Sequence, residues 1–193
     1  MIFSFLTAGQ LGKVAQINRS VCEGVKSFER RAYPINRFLG NYFQDPIAFC
    51  RLQAKTGTLI SGPFALAFMG RTAWEVNNLD LYICPDFLPV IFDFLMNDGY
   101  FRRFLHAPSS RSNPSGPYPV GPEVVNMEDN DAVHQFGDPF LNLYIKGLVI
   151  FEKRNGSIIS NVQVIISNTT PLAVILKFHS NMSLYLSLII IVY

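Results

Sequence analysis

Apolar positions recur with two different periods along this chain, helical in the first third and mixed with strand-like alternation thereafter. Leu11, Val14, Ile17, Val21, Val25 and Phe28 are spaced mostly by threes and fours, which predicts one amphipathic helix over 9–30. Lys13, Arg19, Lys26 and Arg30 fall mostly off that stripe. Such a helix packs on a domain or offers its face to a partner. Pro34 interrupts the pattern, and Ile35, Phe38, Leu39 and Tyr42 resume it over 35–43. Asp45-Pro46 opens a further helix, an N-cap followed by proline at the first helical position. It runs through Phe49 and Leu52 to Lys55 and stops at Gly57.

After Gly57 the period shortens. Thr58-Leu59-Ile60-Ser61 is a β-prone run ending at Gly62, Pro63 to Met69 reads as a helix, 71–77 as a loop, and Leu79 to Ile83 alternates as a strand does. Pro85-Asp86 starts a helix with Phe87, Leu88, Ile91, Phe92 and Leu95 at helical spacing, and Asn97-Asp98-Gly99 ends it. A strand is expected over 100–105. Serine, proline and glycine fill 107–122, and acidic and polar residues follow, which predicts a long loop over about 107–140. Three β-prone runs come next, 141–144, 147–152 and 162–167, with the hairpin dipeptide Asn155-Gly156 between the last two. Thr170-Pro171 opens a last helix, Leu172 to His179. This order of elements predicts an α+β (mixed α/β) fold, a small mixed sheet flanked by helices with extra helices at the N-terminus. The expected divisions are a helical extension over 1–34, the main domain over 35–182 and an apolar tail over 183–193.

Composition narrows the class. The chain of 193 residues is long enough for one domain with a real core, and its low charge marks it as a folding chain. A net charge of +2 demands neither nucleic acid nor an anionic membrane. Arg102-Arg103 with Tyr100, Phe101 and Phe104 is too short a basic and aromatic run to argue nucleic-acid binding. Cys22, Cys50 and Cys84 are odd in number and widely spaced, so neither a zinc pattern nor a disulfide framework is expected. That suits a reducing, intracellular compartment, cytoplasmic or nuclear. The apolar start lacks a basic n-region, which argues against a signal peptide. The tail is shorter than the roughly 20 residues of a spanning helix. It reads as a buried strand, an aggregation-prone end, a truncated C-terminus or a lone anchoring tail, and no membrane span is expected.

Two segments carry candidate chemistry. Ile60-Ser61-Gly62-Pro63 is a strand running into a glycine turn and a helix, where backbone N–H groups favour anions. Leu79-Asp80-Leu81-Tyr82-Ile83 places an acid on an apolar strand. Acids at i and i+2 on a strand share a face and can hold the same magnesium ions, which take hard oxygen ligands. No nucleophile elbow, phosphate loop ending in glycine-lysine-serine, dinucleotide fingerprint or zinc pattern competes with this reading.

Leu59-Ile60-Ser61-Gly62 followed by Leu79-Asp80-Leu81-Tyr82-Ile83 resembles the motif of the polymerase-beta-like nucleotidyltransferase superfamily. The runs 49–62, 162–165 and 171–180 are similar to a group of uncharacterised proteins of mushroom-forming fungi. Together these likenesses cover about 35–180. The resemblance implies a nucleotide and Mg2+ as ligands, with Gly62 as the motif glycine beside Ser61 and Asp80 as the second acid. It also exposes departures. Pro63, which has no N–H, stands where glycine or serine belongs. Asn78 stands at the first acid, and Gln163 is the candidate for the third. Asp80 is thus the expected catalytic and metal residue, with Asn78 and Gln163 as neutral metal ligands. Arg51 and Lys55, one helical turn apart, are candidates for phosphate. Trp74 is either a base-stacking residue or a loop anchor, and His179 reads as a packed histidine. The expectation is a catalytically degenerate nucleotidyltransferase-like protein with weak nucleotide and Mg2+ binding or a protein-interaction role. The alternatives are an active metal-dependent nucleotidyltransferase and a purely structural protein without ligand.

Overall fold

The structure, a computed structural model, describes residues 2–72, 76–103, 125–126 and 144–177. The expectations for Trp74, His179, the tail over 183–193 and most of the loop over 107–140 lie outside the described residues.

The helix expected over 9–30 is two helices, α1 (Ala8–Val14) and α2 (Arg19–Ala32). Polar caps override the apolar period at both starts. Thr7 and Gln10 form a reciprocal capping box at α1. The Asn18 side chain accepts from the Val21 N–H at 2.9 Å and starts α2 afresh. Ile17, counted on the stripe, lies in the break and is 67% exposed. A short helix α3 (Ile35–Leu39) then leads through a turn to α4 (Pro46–Thr56). Asp45 caps α4 by accepting from the Ala48 N–H, and Gly57 ends it at φ +65°, as the sequence predicts.

The remaining described strands and α-helices are β1 (Leu59–Ser61), α5 (Gly62–Gly70), β2 (Asn78–Ile83), α6 (Leu88–Asn97), β3 (Phe101–Arg103), β4 (Val125–Asn126), β5 (Ile145–Asn155), β6 (Ile158–Ser167) and α7 (Pro171–Leu176), with 3-10 turns at Ile2–Phe5 and Pro85–Phe87. The two-residue strand β4, inside the stretch expected to be loop, pairs with β5. The hairpin signal is placed one residue later than its dipeptide: Asn155 pairs with Ile158, and Gly156-Ser157 make the turn with Gly156 at φ +61°. The result is an α+β fold with helices flanking a mixed sheet. Its order is β1-β2-β6-β5-β3 with β4 beside β5. Strands β2 and β6 are parallel and the other pairs antiparallel.

Alternation sorts the sheet residues onto two faces. On one, Ile60, Leu79, Leu81, Ile83, Val149, Phe151, Val162, Val164 and Ile166 meet apolar residues of α3 to α6 in the main core. Aromatic rings fill much of it, with Phe43 stacked on Phe49 at 4.3 Å between centroids. On the other face Tyr82, Ile165, Leu148 and Ile150 pack with Val174 and Ile175 of α7. A small third cluster, Leu11, Val25 and Phe28, holds α1 and α2 together. Tyr33 joins it to the main core by packing against both.

A buried ion pair ties three elements at one edge of the main core. Lys153 Nζ lies 2.7 Å from Asp98 Oδ2, with both side chains about 7% exposed. The same ammonium donates to the Tyr42 carbonyl at 2.7 Å and sits 4.8 Å from the centre of the Tyr100 ring. Asp98 also accepts from the Gln44 N–H at 2.8 Å, so neither charge is left without partners.

Candidate functional site

The polar part of the sheet lies on the face opposite the main core, toward the start of β2. Ser61 on β1, Asp80 on β2 and Gln163 on β6 are successive register partners, so their side chains stand in one row. Asn78, two residues before Asp80, shares that face and pairs in register with Asn161. The Asn161 Nδ2 donates to Asn78 Oδ1 at 3.2 Å, while the buried Asn161 Oδ1 has no hydrogen-bond partner among the described residues. Four residues singled out in the sequence, Ser61, Asn78, Asp80 and Gln163, are therefore brought together.

Gly62 belongs to the same site by contact. It begins α5 at φ +72°, and a Cβ built on it would overlap Asp80 Oδ2. A side chain there would have to displace the Asp80 carboxylate, which lies against the backbone at the first turn of the helix. That turn carries a partial positive charge, although Pro63 contributes no N–H. Burial nonetheless dominates and raises the Asp80 pKa from 3.8 to about 6. Among the described residues no lysine or arginine forms an ion pair with it. Asp80 in turn pushes up the phenols of Tyr82 and Tyr42, which burial has already raised. The Tyr42 hydroxyl donates to the carbonyls of Val76 and Asn78 and so anchors the backbone that enters β2.

Arg51 and Lys55 stand apart from this group. The buried residues of α4, Phe49 and Cys50, pack into the main core, and Arg51 and Lys55 are exposed on the outer side of that helix. Asp80 faces the other side of the sheet. Their sequence position just before β1 suggested proximity, but a helix and the following strand meet at only one end.

Two residues on the site's face are not apparent from sequence. Asn161 neighbours Asn78, and Glu152 on β5 neighbours Asn161. Glu152 is buried, and its carboxylate is held by Arg154 Nε at 2.7 Å. It lies two strands from Asp80, roughly 10 Å across the sheet. That separation keeps the two carboxylates from sharing one ion. No residue pattern pointed to Glu152, because its place depends on the pairing of β5 with β6.

Asp80 is therefore the only carboxylate in the row, flanked by the Ser61 hydroxyl and the Gln163 amide, with the Asn78 amide two residues before it. Among the described residues no group of three or more histidine, cysteine, aspartate or glutamate side chains could hold a metal ion. The donor set fits a hard cation that arrives already bound to phosphate, for which one carboxylate suffices, with the amide oxygens of Asn78 and Gln163 as further donors. It does not fit a two-ion centre, which needs carboxylates shared between ions.

No family model matches the chain, and neither a curated protein nor a solved structure matches it. No helix among the described residues is long and apolar enough to cross a membrane.

Proposed function

We propose that this chain is a catalytically degenerate nucleotidyltransferase-like protein that binds a nucleotide with its Mg2+ at Asp80 and does not transfer the nucleotidyl group. The observation that carries this reading is the Asp80 carboxylate pressed against Gly62 at the start of α5, with no cation paired to it among the described residues. A carboxylate in that setting gains from a divalent ion, and the turn beside it offers backbone N–H groups to a phosphate. Asp80 supplies the charge that holds the ion. Asn78 and Gln163 orient it without neutralising it. Nucleotidyl transfer also needs a group that takes the proton from the attacking hydroxyl and a second stabilised ion. The amides at 78 and 163 can do neither. The motif resemblance supports the nucleotide as ligand, and a nucleotide-binding role fits a cytoplasmic or nuclear protein with three unpaired thiols.

Calorimetric titration with each nucleoside triphosphate and Mg2+, beside an assay for pyrophosphate release, tests this reading. Binding that needs Mg2+ and is lost in Asp80→Ala, without pyrophosphate release, is the expected outcome. Pyrophosphate release that depends on Asp80 would replace it with an active transferase. Absence of binding by the folded protein would leave a structural or interaction role.

A further inference from the structure

A second polar site lies where the N-terminal helices meet the main domain. Arg31 at the end of α2, Arg37, Phe38 and Asn41 on and after α3, and Arg71 and Thr72 after α5 line a cleft of about 490 Å³. That volume lies within the range of small-molecule pockets. Three arginines line this space in a chain whose net charge is only +2. No acidic residue lines the cleft among the described residues.

Arg71 is held in place before any ligand arrives. It is the sole described non-glycine residue at positive φ, +52°, a conformation that strains a side-chain-bearing residue. Its Nη2 donates to the Leu6 carbonyl at 2.6 Å, and its guanidinium lies 5.6 Å and 5.7 Å from the ring centres of Phe28 and Tyr33. The Tyr33 hydroxyl is buried without a hydrogen-bond partner. Arg31 uses one nitrogen to reach Ser27 Oγ at 2.8 Å, leaving the rest of its fork. Arg37 is exposed, and its side chain makes no hydrogen bond or ion pair among the described residues. The Thr72 hydroxyl donates to the Ala67 carbonyl, so Asn41 supplies the neutral donor and Phe38 an apolar wall.

Arginines that share a cleft lined by no acidic side chain favour an anion there. Arginine forks match the paired oxygens of a phosphate, and a single carboxylate would leave two of the three charges uncompensated. We propose that this cleft binds the phosphate moiety of a small phosphorylated compound. The site is separate from the Asp80 reading, since neither Asp80 nor Gly62 lines it.

The test is calorimetric titration with pyrophosphate and with inorganic phosphate at constant ionic strength, with acetate as the carboxylate arm. The protein is compared with Arg37→Ala, Arg31→Ala, Arg37→Lys and, as a surface-charge control, Lys13→Ala. Arg71 is left intact because it tethers the N-terminal segment. The expected result is saturable phosphate or pyrophosphate binding weakened about tenfold or more by Arg37→Ala and by Arg31→Ala. Arg37→Lys should recover part of the loss, and Lys13→Ala should match the wild type. Absence of saturable binding, wild-type affinity in the two alanine variants, or acetate binding as tight as phosphate would overturn the proposal.

Discussion

At the scale of single residues, Gly62 and Asp80 constrain each other. Any side chain at 62 meets the Asp80 carboxylate and must also adopt φ +72°. Gly62→Ala should therefore lose more than the roughly 1–2 kcal/mol of backbone strain alone, read as a drop in the chemical-denaturation midpoint. The double variant Gly62→Ala/Asp80→Ala should recover the clash and keep the strain, giving clear non-additivity. Additive effects would show that the two residues do not touch. Asp80 also imposes a pH dependence. Its folded pKa is about 6 against 3.8 for the free group. Between those values the folded protein holds the proton and the unfolded chain does not, so stability falls as pH rises through this window. Above pH 6 the ionised group costs about 3 kcal/mol. Asp80→Asn should be the more stable protein above pH 6, with the difference vanishing below pH 3.8. Unfolding curves collected across that range measure it. Asp80 and Gly62 were legible in sequence because an acid inside an apolar strand and a glycine after a strand are both local anomalies. Glu152 and Asn161 were not, because nothing near them in the chain records which strand lies alongside.

At the scale of elements, caps and turn residues decided boundaries where the apolar period did not. The Asn18 cap divides a stripe that hydrophobic spacing alone joins, and Ile17 is exposed as a consequence. The caps at Asp45 and Thr170 stand where proline at the first helical position announces them. Packing between elements is less legible. Lys153 follows Glu152 in an alternating strand, and its position in the chain does not disclose that it neutralises Asp98 at the end of α6. Lys153→Met should cost about 3–5 kcal/mol, because it leaves the Asp98 carboxylate buried and unpaired and removes the donor to the Tyr42 carbonyl. Adding Asp98→Asn to that variant should restore part of the loss. A loss below about 1 kcal/mol in Lys153→Met would show that the pair contributes only as an exposed pair does.

At the scale of the whole molecule, the sheet separates two kinds of chemistry. One face is an aromatic core against α3 to α6, and the other carries a polar row at one end and α7 at the other. The α+β class followed from the order of helical and alternating segments, whereas the sidedness required the pairing of β2 with β6. That pairing sets Gln163 beside Asp80, while the packing of α4 sets Arg51 and Lys55 on the far side. The central claim is that Asp80 holds the ion of a bound nucleotide. The most direct measurement is the melting temperature of the protein and of Asp80→Asn, with and without Mg2+ and ATP, as pH is raised through 6. The account predicts a ligand-dependent rise that grows as Asp80 loses its proton near pH 6 and is absent in Asp80→Asn. An equal rise in both proteins, or no rise in either, would contradict it.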